Sequence, residues 1–417
     1  LAAALPAGLL AGCSSGDGSA PVAYVTTAQN AADLTVSSVA LQQAETGSES
    51  FSLALLRRLG DGTSANMVFS PQTLVDLLAM ILPGAKGETA SQLSDALGTA
   101  GLDARTAAGA LGRLDASVRA DGNQNSNTLV ESGDVWTDKT VKLAQAYLAA
   151  LGGAFGTGVH QTDFEGNSDG ATQAIDDLVT QETHGYITNL FKKGSLDSST
   201  RVVLTDAVYL NATWADKFDP EKTMDNAFYP EAGAARQVPM MSAQADYDYA
   251  SGNGWQLVQL PYAGGKLAMD VLLPTKGAGN LKALRDSISA TQLNSMLSSM
   301  TEQKVQLKLP RFATDFSPDN LMQSLTALGL GDLFSGADLT GVTSDGEHLA
   351  VSQVVEKAHI EVAENGTVAA AAAGGAMASS ALVPEGVVFD ADHPFLYLIR
   401  DLSTGQLLFA GQQTSGS

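Results

Sequence analysis

Apolar side chains at Phe51, Leu53, Leu55, Leu56 and Leu59 recur at the spacing of one helix face, whereas Leu74, Leu77, Leu78, Met80 and Ile81 leave little of their helix polar. The first pattern predicts an amphipathic helix and the second a buried one. Strand patterns dominate later. Residues 201–210, 255–262 and 267–273 are rich in Val, Leu, Tyr and Trp and end at turn residues or proline. Residues 395–401 and 406–412 flank Leu402, Ser403, Thr404 and Gly405 as the arms of a hairpin would. Helices crowd the first part and do not alternate regularly with strands, which predicts an α+β fold with mixed β-sheets. Neither a repeat nor a Gly/Ser-rich linker interrupts the chain after about residue 48, so one domain is expected over 48–417.

Composition narrows the functions. With 417 residues, 44% hydrophobic and 16% charged, the chain can bury a large core and is not disordered. Acidic side chains outnumber basic ones 45 to 23, giving a formal charge of −22 that repels phosphate backbones. The longest basic runs are the pairs Arg57-Arg58 and Lys192-Lys193, so no nucleic acid is expected as a partner.

Familiar catalytic and metal patterns fail on inspection. Gly12-Cys13-Ser14-Ser15-Gly16 has the spacing of a nucleophile elbow but not the strand and helix that would strain the serine. Asp163, Glu165, Asn167 and Asp169 alternate like calcium ligands, yet Ala174 stands where a bidentate glutamate would close the loop. The five histidines never take zinc-hydrolase spacing, and no glycine-rich phosphate loop is present. No catalytic residue, metal or cofactor is assigned, and an enzyme is not expected.

Cys13 is the sole cysteine, which rules out an internal disulfide. The segment Leu10-Ala11-Gly12-Cys13 resembles the lipobox of bacterial lipoprotein signals. That resemblance implies a signal segment over 1–12, a lipid on Cys13 and a flexible tether over 13–47. The domain would then be secreted, and lipid-anchored to a bacterial membrane or released from it.

Asn66-Met67-Val68-Phe69-Ser70-Pro71 leads into the apolar helix, with Ser70 placed to cap it and Pro71 to set its entry. The helix ends at Leu82-Pro83-Gly84-Ala85-Lys86-Gly87-Glu88-Thr89. In wording and order these segments resemble the serpin family. So do residues 209–218, Val238-Pro239-Met240-Met241, Gln259-Leu260-Pro261-Tyr262, Lys308-Leu309-Pro310-Arg311-Phe312 and Asp392-His393-Pro394-Phe395. The resemblance implies a monomeric serpin-like fold with an exposed, insertable reactive loop. It also implies a single-use inhibitor that traps a target serine protease as a covalent acyl-enzyme.

Residues 357–380 are the most informative stretch. By composition an alanine run predicts helix or linker, although Gly374 and Gly375 disfavour a helix. The resemblance assigns a hinge to Glu364, Asn365, Gly366, Thr367, Val368, Ala369, Ala370, Ala371, Ala372 and Ala373. In a strand, Thr367, Ala369, Ala371 and Ala373 share one face, and their small side chains can enter a packed sheet at little steric or desolvation cost. Family spacing puts the reactive bond sixteen residues past Glu364, between Ser380 and Ala381. Small residues there suit an elastase-like or subtilisin-like protease. A different loop length would make Met377 or Leu382 the bait. A non-inhibitory binding or chaperone-like serpin is the alternative function.

The resemblance also marks the region where the main sheet must open: Ser70, Thr73, Asp206, Trp214 and Glu356. Asp206 and Glu356 stand where the family carries an amide and an imidazole. Two buried carboxylates would share a proton and raise one pKa. Compensation by Lys357 or water, or side chains that point apart, would remove that effect.

Overall fold

Ser70 caps the apolar helix as its position predicts, its Oγ accepting from the Thr73 N–H at 3.4 Å. With Pro71 in the first turn, α2 runs Pro71–Ile81, and every residue in it is buried. Full burial of side chains such as Leu74, Leu77 and Leu78 contributes about 1.5–3 kcal/mol each. The other early helices are α1 (Ser38–Gly60), α3 (Gly87–Ala96), α4 (Ala104–Gly122), α5 (Gln145–Phe155) and α6 (Ser168–Glu182). The computed structural model describes residues 19–27, 35–125, 127–277, 279–367 and 386–416.

In chain order the strands begin β1 (Ala23–Val25), β2 (Met67–Phe69), β3 (Thr128–Asp138), β4 (Val159–Thr162), β5 (Val202–Thr213), β6 (Met224–Phe228), β7 (Arg236–Gly252) and β8 (Trp255–Pro261). They continue with β9 (Leu267–Pro274), β10 (Thr301–Pro310), β11 (Phe312–Phe316), β12 (Val351–Ala363), β13 (Gly366–Thr367), β14 (Val387–Asp390), β15 (Phe395–Asp401) and β16 (Leu407–Gln413). Among the described residues they form two sheets. The first has the order β1-β4-β3-β5-β13-β12-β11, with β5 also pairing directly with β12. The second runs β14-β10-β7-β8-β9-β15-β16-β2, with β6 on β7. The expected C-terminal hairpin is the antiparallel pair β15 and β16. The fold is therefore α+β with mixed sheets: β5 and β12 are parallel, while β3 and β5 are antiparallel.

Three clusters of buried side chains fill the interior. One lies among α1, α2, α4 and α5 and the strands they cover. A second, containing Trp214, Tyr262, Tyr397 and Phe409, joins the two sheets. The third lies under α6 and includes Trp136, Ile175, Val179, Val203 and Ala207.

The segment 13–47 is not the uniform flexible tether expected. Within it β1 pairs with β4, and α1 begins at Ser38, capped by Ser37 Oγ accepting from the Ala40 N–H at 3.2 Å. Alanine-rich composition reads equally as linker or as a close-packing helix face; here Ala40 and Ala44 are fully buried. Cys13 lies outside the described residues.

Candidate functional site

The two central strands of the first sheet are parted at one end. β5 pairs with β12 from Val202 opposite Val351 to Val208 opposite Ala358. Beyond that point β13 lies between them. Thr367 pairs with Ala212 on one side and Val362 on the other, and Gly366 pairs with Thr213 and Ala363. The predicted hinge residues 364–367 thus turn back from β12 and start a strand of their own inside the sheet.

Local chemistry explains the turn. Gly366 has φ +151°, and a Cβ there would sit 2.0 Å from the Ala212 carbonyl oxygen, so only glycine fits this approach without displacing backbone. Thr367 is buried, its hydroxyl 2.6 Å from the Tyr262 hydroxyl. Trp214 stacks on Tyr262 with ring centres 4.5 Å apart. Its indole N–H donates to Ala363 O at 2.9 Å, and its backbone N–H to Asn365 O at 3.0 Å. Glu364 is held by the Thr223 hydroxyl, which donates to it at 2.7 Å, and by Arg311 Nε at 3.5 Å.

Further down the pair, Asp206 and Glu356 are register partners on β5 and β12. Both meet the first turn of α2. The Ser70 backbone N–H donates to Glu356 Oε1 at 2.5 Å, and the Thr73 hydroxyl donates to Asp206 Oδ2 at 2.6 Å. A helix N-terminus favours such anions, so α2 clasps the two strands through one carboxyl group each. Asp206 Oδ1 and Glu356 Oε2 are buried without a hydrogen-bond partner among the described protein groups.

The four sequence-predicted residues Ser70, Thr73, Asp206 and Glu356 therefore meet, and the two acids face the same side. Lys357 does not compensate them, because its Nζ donates to Thr188 O at 2.7 Å on the opposite face. Trp214, expected with these four, instead stands at the hinge end of β5: it follows the last residue of that strand and packs on Tyr262.

Burial pushes the Asp206 carboxyl well above its ordinary value, and the charge of Glu131 adds to the shift. Glu356 is raised by burial and then by Asp206 beside it, against the hydrogen bond from Ser70. Sequence reasoning missed the wider cluster. Glu131 is raised by burial to about 7, with Arg119 opposing the shift and Asp115 adding to it. Arg119 Nε lies 2.7 Å from Asp115 and 3.3 Å from Glu131. Asp76, raised by burial and by Asp115 and Glu131, accepts two bonds of 3.1 Å from Gln72. The charge of Arg119 thus acts on Asp76, Asp115, Glu131 and Asp206, while Glu356 meets Asp206. An aspartate inside the apolar run of α2 was the available sequence signal. Tyr262 and Arg311 stood in family-like segments without an assigned role and Thr223 had no signal, since only folding brings Tyr262 to Thr367 and the other two to Glu364.

Val368, Ala369, Ala370, Ala371, Ala372 and Ala373 lie outside the described residues, as do Met377, Ser380, Ala381 and Leu382.

A family model described as "Serpin (serine protease inhibitor)" matches residues 46–415. Iripin-2 of Ixodes ricinus is 34% identical over 369 residues, covering 87% of this chain and 91% of the relative. Leukocyte elastase inhibitor A of Mus musculus is 33% identical over 385 residues, covering 90% of this chain and all (100%) of the relative. Among solved structures, uncleaved ovalbumin superposes with a TM-score of 0.79 at 25% identity, covering 89% of this chain and 100% of its own.

Proposed function

Because the chain belongs to the serpin family of serine protease inhibitors, we propose that it acts as a single-use trap for an elastase-like or subtilisin-like protease. The observation that carries this proposal is β13, whose described residues Gly366 and Thr367 lie as a strand between β5 and β12. Continued in the same register, the ten residues from Val368 to Met377 would pair with Asn211 back to Val202, the first residue of β5. Thr367, Ala369, Ala371 and Ala373 would then face the interior occupied by Ala212, Leu210, Val208 and Asp206, where bulky or charged side chains would not fit.

The protease serine would attack the Ser380 carbonyl, release the amine of Ala381 and remain as an ester. Insertion before water arrives would carry that ester past the far end of β5. On the order of ten new backbone hydrogen bonds, at about 1 kcal/mol net each, favour the inserted state enough to oppose the protease's own structure. The chain supplies no catalytic group. The relative named leukocyte elastase inhibitor A and the small side chains around Ser380 support the choice of target. We place the domain outside the cytoplasm as a monomer, held to a bacterial membrane by a lipid on Cys13 or released from it. Labelled fatty acid lost in Cys13→Ala would support that location.

The deciding experiment mixes the chain with pancreatic elastase, subtilisin and chymotrypsin. A complex that survives detergent, with a released fragment beginning at Ala381, is the expected result. A fragment beginning at Ala378 or Val383 moves the bait to Met377 or Leu382. Cleavage without a stable complex overturns inhibition and leaves the non-inhibitory binding or chaperone-like function.

A further inference from the structure

The family match begins at residue 46, yet residues 19–27 are built into the first sheet and the helix above it. Resting on the insertion mechanism proposed above, we propose that this N-terminal strap is a latch on α6 that slows entry of the loop into the sheet.

The strap has two sets of contacts. At its start it grips α6: the Ala20 N–H donates to Gly170 O at 2.8 Å, and the Ser19 hydroxyl donates to Asp177 at 3.2 Å. Ala20 is buried in the same cluster as Trp136, Phe164, Ala171 and Ile175. At its end it becomes an edge strand, with Ala23, Tyr24 and Val25 opposite Gln161, His160 and Val159. The Tyr24 ring meets His160 at 4.7 Å, and His160 stacks on Trp136 at 4.5 Å. The chain makes room for this crossing. Gly158 has no side chain, and a Cβ there would lie 2.2 Å from the Val25 carbonyl oxygen.

α6 in turn holds down the segment that lies over the slit. Asp176 accepts from the backbone N–H groups of Leu190 and Phe191, at 2.8 and 3.3 Å. Ile187, Leu190 and Phe191 pack in one cluster with Val203 and Ala207 of β5, and Val355 of β12 packs against that cluster. Lys357 of β12 is bound to Thr188 O. This cover therefore straddles the β5–β12 boundary through which a new strand must pass. By the β13 register, Ala372, Gly374 and Ala376 would arrive opposite Ala207, Thr205 and Val203, directly beneath it. Admitting a strand widens the boundary by roughly 4.8 Å, so the cover must lift or slide. Strap, α6 and cover are linked by hydrogen bonds in series, and lifting the cover loads the strap. The strap belongs to the β4 edge of the sheet, on the side of β5 away from the slit, so it opposes that movement.

The test uses two full-length variants that release the strap from opposite sides: Ala20→Lys, which puts a cation into the α6 cluster, and Gly158→Val, which displaces Val25. Each is incubated with a synthetic peptide of the chain's own residues 364–377, and uptake into the sheet is followed as a mobility shift on native gels. No protease is needed. Both variants should take up the peptide about tenfold faster than wild type, the factor expected when one or two hydrogen bonds need no longer break. Their peptide-filled forms should melt with wild type, because in the filled protein the lifted cover has already drawn the strap off α6. Equal uptake rates in all three proteins overturn the latch while leaving insertion intact. Equal loss of Tm in the empty and filled forms also overturns it, since the strap would then only stabilise α6. Uptake by none of them overturns insertion itself, and the latch with it.

Discussion

Asp206 and Glu356 are buried neighbours across the β5–β12 boundary, and both are bound to the first turn of α2. This contact holds the closed sheet together and opposes it at the same time. The hydrogen bonds from Ser70 and Thr73 join the strands, while two ionised carboxylates at this spacing repel. Which effect prevails depends on protonation.

The sign follows from the raised pKa values. Burial, with Asp206 beside Glu356 and Glu131 near Asp206, makes the folded state bind protons more tightly than the unfolded chain. The stabilisation is complete in acid below the ordinary carboxyl values of 3.8 and 4.5, and it is lost as pH rises through the raised ones. Glu131, raised by burial to about 7, loses its own contribution in the same direction. Asp206→Asn keeps an acceptor for Thr73 and removes one charge. Thermal unfolding from pH 5 to pH 8 should show the variant gaining on wild type as pH rises, by about 1–2 kcal/mol at the alkaline end. A constant difference across the range would rule out the shared proton.

Insertion would separate this pair. By register Ala373 arrives between Asp206 and Glu356, taking them from one strand spacing apart to two, roughly 4.8 Å to 9.6 Å. Uptake of the 364–377 peptide should therefore quicken between pH 5 and pH 8 in the wild type. Glu356→Gln still accepts from the Ser70 N–H but carries no charge, and its uptake rate should be flatter across the same range. Parallel pH profiles would show that the repulsion does not contribute to opening.

At the hinge, Thr367→Arg places a cation where the threonine hydroxyl meets Tyr262. An unpaired buried charge costs several kcal/mol, enough to delay insertion behind deacylation. The variant should be cut as a substrate, with the number of inhibitor molecules consumed per protease rising severalfold. An unchanged stoichiometry would show that burial of residue 367 does not limit insertion.

Gly366→Ala tests the backbone instead of the side chain. The new Cβ meets the Ala212 carbonyl at 2.0 Å with φ at +151°, so β13 should leave its slot, at a cost of about 2 kcal/mol. Trp214, whose indole bonds Ala363 beside the hinge, reports the change. Its emission should shift to the red and Tm should fall by a few degrees. An unaltered spectrum would mean that the slot tolerates the alanine.

Much of this was legible in local patterns. The cap at Ser70 and Pro71 and the apolar run behind them specify α2, because capping and burial of a helix face depend on neighbours a few residues away. The hairpin of β15 and β16 is read the same way. Glu364, Asn365, Gly366 and Thr367 were singled out by their wording; the structure places them at the turn from β12 into β13, where Gly366 closely approaches Ala212. The expectation of a tether over 13–47 failed because alanine-rich segments carry no signal that separates a linker from a close-packed face.

The sequence by itself determined the α+β class, the small side chains after Gly366 and the presence of acids at 206 and 356. Whether those acids face each other was left open, since strand register depends on pairings between residues 150 apart in the chain, as 206 and 356 are. Only the tertiary structure decided that they meet, that Arg119 stands among Asp76, Asp115, Glu131 and Asp206, and that Trp214 bonds Ala363 and Asn365. It also decided that residues 19–27 close the sheet edge under α6. Each of these rests on long-range packing, which joins side chains whose spacing along the chain has no period to read.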